Sequence, residues 1–266
     1  MLSNITLGQY YPGKSFLHQL DPRAKIIATM VVIIAIFLAE TLWAYVVLTV
    51  FILFCLALSR LPFRLICQSV KPLWIIIVFT LGIHMFTTPG DIVWQYTVIT
   101  VTKQGLIQGG LMTARLVYLI VFSSLLTFTT SPIVLTDGIE QLLNPFRRFG
   151  VPAHELAMMM TIALRFIPTL LEETDRIMKA QTARGANFTS GNLWQRAKSM
   201  VPLLVPLFIS AFRRADELAT AMEARCYRGG ENRTRMKELM YTWRDSVALF
   251  AAGAVTVVLI FLRWFA

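Results

Sequence analysis

IIATMVVIIAIFLA, residues 26–39, runs without a charged side chain and with Thr29 as its one polar residue. It offers water no face, neither at the 3.6-residue period of a surface helix nor at the two-residue period of a half-buried strand. It reads as a helix inside a bilayer, shorter than the ~20 residues a span needs but extendable over Ala24 and Glu40. Outward along the chain the same signal returns at 41–58, 72–88, 106–130 and 246–262. Only a turn around Glu40 and Thr41 separates the first two. Two further apolar stretches are interrupted, 156–171 by Arg165 and Pro168, and 200–212 by Pro202 and Pro206. The expected fold is all-α, a polytopic membrane helix bundle.

Composition supports this. The 266 residues are 56% hydrophobic and 15% charged, with mean hydropathy +0.62. The net charge of +10 would suggest nucleic acid in a soluble domain. In a membrane protein it marks the cytoplasmic side, where Lys and Arg collect. The 59–71 loop carries Arg60, Arg64 and Lys71 and no acid, whereas the turn at 40 has Glu40 alone. The N-terminus and that loop are therefore expected in the cytoplasm. Four spans later the chain is cytoplasmic again. Residues 131–242, which hold most of the charged residues, are expected to be water-facing rather than to form two more spans. The expected organisation is N-terminal membrane helices over 1–130, a cytosolic module of long helices over 131–242, and a last transmembrane helix over 243–266. The alternating, β-branched PGDIVWQYTVITVTKQ, residues 89–104, suggests a small hairpin on the outer side. The first residues lack a charged stretch leading into an apolar core, so no cleaved leader is expected.

Few residues suggest chemistry. Cys55, Cys67 and Cys226 have no metal-ligand spacing and read as free thiols. His18, His84 and His154 are scattered without acid or Cys clusters. No metal, cofactor or catalytic group is expected. Gly105, Gly109 and Gly110 predict close helix packing. Arg115, inside the fourth span, is a functional candidate by position, with internal pairing the plainer role. GQYYPGKS, residues 8–15, fits the P-loop spacing. That motif needs a buried strand before it and a helix after it. Only seven residues precede Gly8, bulky Gln9, Tyr10 and Tyr11 fill the curling positions, and Asp21 and Pro22 follow closely. The match is read as coincidence.

The segment 131–242 holds an internal repeat. RFIPTLLEETDRIMKAQTARGANF (165–188) and PLFISAFRRADELATAMEARCYRGG (206–230) both begin apolar with Pro, become charged, and reach A-x-x-A-R. Each predicts a long helix, with i,i+4 pairs Glu172–Arg176, Asp175–Lys179 and Arg213–Glu217. Gly185 stops the first, and Gly229 and Gly230 the second. Each then presents a cation where the helix dipole favours one, on a tip kept narrow by Ala180 and Ala183, or Ala221 and Ala224. A protruding guanidinium on such a tip can enter a groove and grip a carboxylate with its planar fork. Two matched tips suggest two matched sockets. Leu156, Met159, Met160 and Ala163, continued by Phe166 and Leu170, form an apolar face suited to a membrane-protein partner, Met being adaptable in contacts that repack.

The chain resembles the transmembrane T component of energy-coupling factor (ECF) transporters. The likeness is carried by GQYYPGKSFLHQLDPRAK, LTFTTSP (126–132), ALRFIPTLLEET (163–174), KAQTARG (179–185) and AMEARCYRGG (221–230). The resemblance implies two coupling helices whose Ala-Arg-Gly tips each dock on one of two cytoplasmic ATP-binding-cassette ATPases. It implies a separate small S component that binds the vitamin or metal ion. On that basis Ala183, Arg184 and Gly185 form the first tip, and Ala224, Arg225 and Cys226 the second, with Cys replacing Gly and the helix free to run on to Gly229. The expected protein is a non-catalytic coupling subunit in the cell membrane, with no nucleic-acid partner. The alternative is a permease with its own substrate path.

Overall fold

The computed structural model describes residues 10–96, 99–186, 188, 193–229 and 238–265. Among these the chain divides into two compact units, one of residues 10–138 and 238–265, the other of residues 139–229.

The first unit is the membrane bundle. It contains α1 (Pro22–Leu38), α2 (Leu42–Ser59), α3 (Phe63–Val70) running through a 3-10 turn (Lys71–Leu73) into α4 (Trp74–Thr87), α5 (Lys103–Thr129) and α9 (Trp243–Phe265). Helix α1 packs on α5 and α9, α2 on the same pair, and α4 on α5. The core joins Val32, Ala35 and Ile36 of α1 to Leu48 and Ile52 of α2, Phe122 and Leu125 of α5, and Leu259 of α9. Most other apolar side chains of these helices point outward, such as Phe54 and Phe79. That inversion suits a solvent of lipid. Five helical stretches are long and apolar enough to cross a membrane: Leu42–Ser59, Phe63–Thr87, Lys103–Thr129, Ala153–Ala183 and Trp243–Trp264.

These spans differ from the sequence reading in three places. The expected 59–71 loop is mostly helix α3, so the third span begins near Phe63. Helix α1 has 17 residues, about 25 Å at 1.5 Å per residue, and lies within the bundle. Residues 153–183, expected to avoid spanning, pass the length and composition test.

A polar clasp fixes the ends of α1 and α9. Asp245 is fully buried. Its Oδ2 accepts from the backbone N–H and the hydroxyl of Thr242, both at 2.7 Å, which is one half of a capping box at the start of α9. Its Oδ1 accepts the backbone N–H of Asp21 at 2.7 Å. Asp21 in turn N-caps α1 and takes the Arg23 fork at 3.1 and 3.0 Å. This hydrogen bond to a carboxylate raises the Arg23 pKa above its ordinary value. Arg23 also donates to Leu239 O and lies over the Tyr241 ring. Lys25 Nζ donates to Thr129 O at 3.0 Å and Thr130 Oγ1 at 3.2 Å, which ties α1 to the end of α5.

Arg115 is bonded inside the bundle, while its Nε is buried without a partner among the described residues. Its Nη2 donates to Ala39 O, just past α1, at 2.7 Å. The 89–104 segment forms the expected antiparallel pair, β1 (Ile92–Tyr96) with β2 (Ile99–Thr102), Gln95 opposite Thr100. Thr102 Oγ1 caps α5 by accepting from Gly105 N–H and donates to Thr88 O.

The second unit holds α6 (Pro132–Leu143) from Ile139 onward, a 3-10 segment (Asn144–Phe149), α7 (Ala153–Ala183) and α8 (Leu193–Ala224). Both long helices start well before the expected 165 and 206. Pro168 lies inside α7, and Pro202 and Pro206 inside α8. Each proline costs one backbone bond, too little to end helices of 31 and 32 residues packed on each other.

The glycine prediction divides. A Cβ on Gly105 would sit 2.7 Å from His84 O and one on Gly109 3.2 Å from His84 Cβ, so both mark the close approach of α4 and α5. A Cβ on Gly110 meets nothing, which corrects that assignment. Gly105→Ala should therefore destabilise by about 1–3 kcal/mol through overpacking against backbone. Gly110→Ala should stabilise by up to about 1 kcal/mol through helix propensity. Thermal unfolding of the two variants in detergent checks the opposite signs.

Candidate functional site: two matched helix ends

Helix α7 ends at Ala183. Arg184 is its C-cap and Gly185 turns left-handed at φ 91°. Gly185 N–H donates to Thr182 O at 3.0 Å and Ala186 N–H to Gln181 O at 3.0 Å. These are the two bonds of a Schellman ending. Helix α8 ends at Ala224, and Cys226 turns left-handed at φ 55°. Cys226 N–H donates to Glu223 O at 2.8 Å and Tyr227 N–H to Met222 O at 3.1 Å. Residue by residue the two ends are the same motif, with Cys226 in the glycine's place. The expectation that the second helix runs on towards Gly229 is thus corrected. The stop comes at the same point of the repeat, and Gly229, also left-handed, lies beyond it.

The chain accepts the left-handed geometry at Cys226 because refusing it would leave the last carbonyls of α8 without donors. A non-glycine residue there carries a steric cost of roughly 1–2 kcal/mol. Ala183, Arg184 and Gly185 are all exposed, as are Ala224, Arg225 and Cys226. Neither Arg184 nor Arg225 has an ion-pair partner among the described residues. What the arrangement offers is two narrow helix ends closed by the same backbone bonds, each with an exposed arginine. Along the helices, Asp175 and Lys179 pair at 2.7 Å as expected. Glu172–Arg176 and Arg213–Glu217 do not close among the described residues. Instead Arg214 bridges α8 to Glu173 of α7 at 3.1 Å.

The expected apolar face divides. Leu156, Met159, Met160 and Ala163 are exposed together on the first turns of α7. Leu170 is half-buried, and Phe166, also half-buried, lines a cavity of about 480 Å³ between α7 and α8. The sequence reading overlooked a second exposed apolar stripe, on α8: Val201, Leu204, Val205, Phe208 and Phe212. Its i, i+3, i+4, i+7 spacing was a signal, but the sequence reading began that helix at 206, which left Val201, Leu204 and Val205 outside it.

The P-loop-like stretch has another geometry. Gly8 and Gln9 lie outside the described residues. Lys14 is exposed and Ser15 is buried. A turn rather than a helix follows through residue 20. His18 Nε2 lies 2.9 Å from Tyr11 O, a carbonyl that only accepts, so Nε2 donates there. Nδ1 lies 2.6 Å from the Ser15 hydroxyl. The hydroxyl a P-loop would offer to Mg²⁺ is engaged inside the fold. The three cysteines are free. No cluster of His, Cys, Asp or Glu able to hold a metal occurs among the described residues.

A helical bundle with outward-facing apolar side chains, and five helices long and apolar enough to cross a bilayer, define a multi-pass membrane protein. Comparison with known proteins gives the family. The family model for cobalt transport proteins (CbiQ) matches residues 13–236. The energy-coupling factor transporter transmembrane protein EcfT of Acidaminococcus fermentans is 62% identical over 264 residues, 99% of this chain and 98% of that one. Those of Thermosediminibacter oceani and Bacillus subtilis are 57% and 48% identical, covering 96% and 99% of this chain and 97% and 100% of theirs. The chain belongs to the CbiQ/EcfT family, the transmembrane components of ECF transporters.

If Cys226 carries left-handed strain that glycine avoids, Cys226→Gly should raise stability by about 1 kcal/mol, and Cys226→Val should lower it. Denaturation of the two variants measures this. A loss of stability in the glycine variant would mean that the thiol makes a contact worth more than the strain.

Proposed function

We propose that this protein is the coupling subunit of an ECF importer and is not itself an enzyme. Two cytoplasmic ATPases hydrolyse ATP, and α7 and α8 carry their movement to a small membrane-embedded S component that holds a vitamin or metal ion. The observation behind this reading is the pair of superimposable endings at Arg184 and Arg225. One exposed arginine at a helix end is ordinary. Two, with the same alanine spacing and the same two closing bonds, fit two copies or two homologues of one socket. Each guanidinium matches a carboxylate or a polar cleft on one ATPase.

In this reading the N-terminus and residues 131–242 face the cytoplasm, as the basic 59–71 segment implies. Helix α7 then does not cross the bilayer, although its length and composition would allow it. Its second half carries Glu172, Glu173, Asp175, Arg176 and Lys179, which water holds far more readily than lipid. Its apolar first half, with Leu156, Met159, Met160 and Ala163, lies at the membrane base, and with the α8 stripe it offers the S component a surface of exposed methionine and aliphatic side chains. The rival, a substrate path through the protein itself, has little support. The cavity in the membrane bundle, about 330 Å³, is walled by residues such as Val32, Phe51, Leu125 and Ala252. The amine of Lys25 on its wall already donates to Thr129 and Thr130.

The test is purification of the tagged protein together with the ATPases, alongside substrate uptake. A charge-assisted hydrogen bond contributes about 1.5–3 kcal/mol, or roughly 10- to 150-fold. Arg184→Ala or Arg225→Ala alone should reduce uptake more than assembly, and the double change should release the ATPases. Lys at either position should restore function only in part, since it keeps the charge but loses the fork. Full assembly and full uptake in the double alanine variant would overturn the assignment.

A further inference from the structure

The two ends share a backbone but differ in the residue that closes it. At the first end the closing N–H belongs to Ala186, whose methyl reaches nothing distant. At the second it belongs to Tyr227. The Tyr227 side chain turns back across the unit to the first turns of α7. Its hydroxyl lies 3.0 Å from Met158 Sδ and 3.3 Å from His154 Nε2. His154 Nδ1 lies 3.0 Å from Glu140 Oε1 on α6. An ionised carboxylate only accepts, so Nδ1 carries the ring proton. The Tyr227 hydroxyl has one proton, which it donates to Met158 Sδ, and its oxygen faces the other ring nitrogen, Nε2.

What lies between gives this chain its mechanical meaning. Helices α7 and α8 are bridged at Glu173–Arg214. From there towards the second end they leave the cavity lined by Ile162 and Phe166 on one side and by Ala215, Leu218, Ala219 and Met222 on the other, with Tyr227 in its wall. Close-packed side chains would transmit force across such a gap; a cavity does not. Beyond it, the Tyr227 hydroxyl reaches Met158 and His154 of α7.

We propose that Tyr227 is a positioning residue, a strut that holds the Arg225 end of α8 to the α6–α7 joint through His154 and Glu140. The inference rests on the coupling function proposed above and adds an asymmetry to it. Movement of the second end reaches the start of α7 and α6 directly, whereas movement of the first end travels along the α7 helix itself. The two ATPase sockets are then not equivalent in what they drive.

The experiment uses the full complex, with both ATPases and the substrate-binding membrane partner, in liposomes, and reads substrate taken up per ATP hydrolysed. Tyr227→Phe keeps the ring in the wall and removes only the hydroxyl. The complex should assemble with an unchanged unfolding temperature, while uptake per ATP falls roughly two- to tenfold, the range of one hydrogen bond. His154→Ala should give the same fall, and the double variant no further fall, because both break one chain. An unaltered ratio in Tyr227→Phe, or losses that simply multiply in the double variant, would overturn the strut. Failure of the unmodified protein to capture the ATPases is a separate result, and would overturn the coupling function itself.

Discussion

The buried carboxylate of Asp245 is the constraint around which the membrane bundle is arranged. A carboxyl group without water needs donors from the protein, and here they come from distant parts of the chain: Thr242 at the start of α9 and the backbone of Asp21 at the start of α1. Asp21 then fixes Arg23, and Arg23 reaches Leu239. Lys25, one turn on, holds the end of α5. In a medium as apolar as the helices themselves, apolar contact alone gives little reason for α1 to sit between α5 and α9. A polar cluster at one end supplies register. The stretch that mimics a P-loop belongs to the same end, with Tyr11 bonded to Phe128 and Ser15 to His18.

The second unit is ordered differently. Its two long helices are set apart by their ends, and an end is defined by how its last carbonyls are satisfied. At both ends the chain uses the same two backbone bonds, which keep the arginine in one place relative to the helix axis. A fixed arginine loses less freedom on docking than a frayed one. This is the physical reason that a repeated ending suits a repeated partner, and why Cys226 accepts a conformation that glycine would adopt freely.

Much of this was legible in the sequence. The spans around 41–58, 72–88, 106–130 and 246–262 follow from composition, because lipid tolerates no polar face. The ends at Arg184 and Arg225 follow from the repeat. The starts of the two long helices were placed too late, at 165 and 206, because 156–171 and 200–212 read as interrupted: a local breaker signal was weighed against tertiary packing that the sequence does not display. Gly110 misled because three glycines in one helix cannot all face α4, and spacing alone did not say which two do. The stop at Cys226 was missed because the two closing bonds, rather than residue preference, decide it. The capping box of Thr242 and Asp245 was readable, since Thr-x-x-Asp is local. Its second bond, to Asp21, and the Tyr227–His154 contact join residues far apart in the chain, where no periodicity reports.

The claim most in need of a direct test is that the two arginine-bearing ends each meet an ATPase. A photo-activatable side chain placed at Arg184 or at Arg225, one at a time, in the intact complex reads this without depending on affinity. The account predicts that each position forms a single crosslink to an ATPase subunit and that, where the two ATPases are different chains, the two positions mark different ones. Crosslinks to lipid or to the small membrane partner, with none to an ATPase at either position, would contradict it.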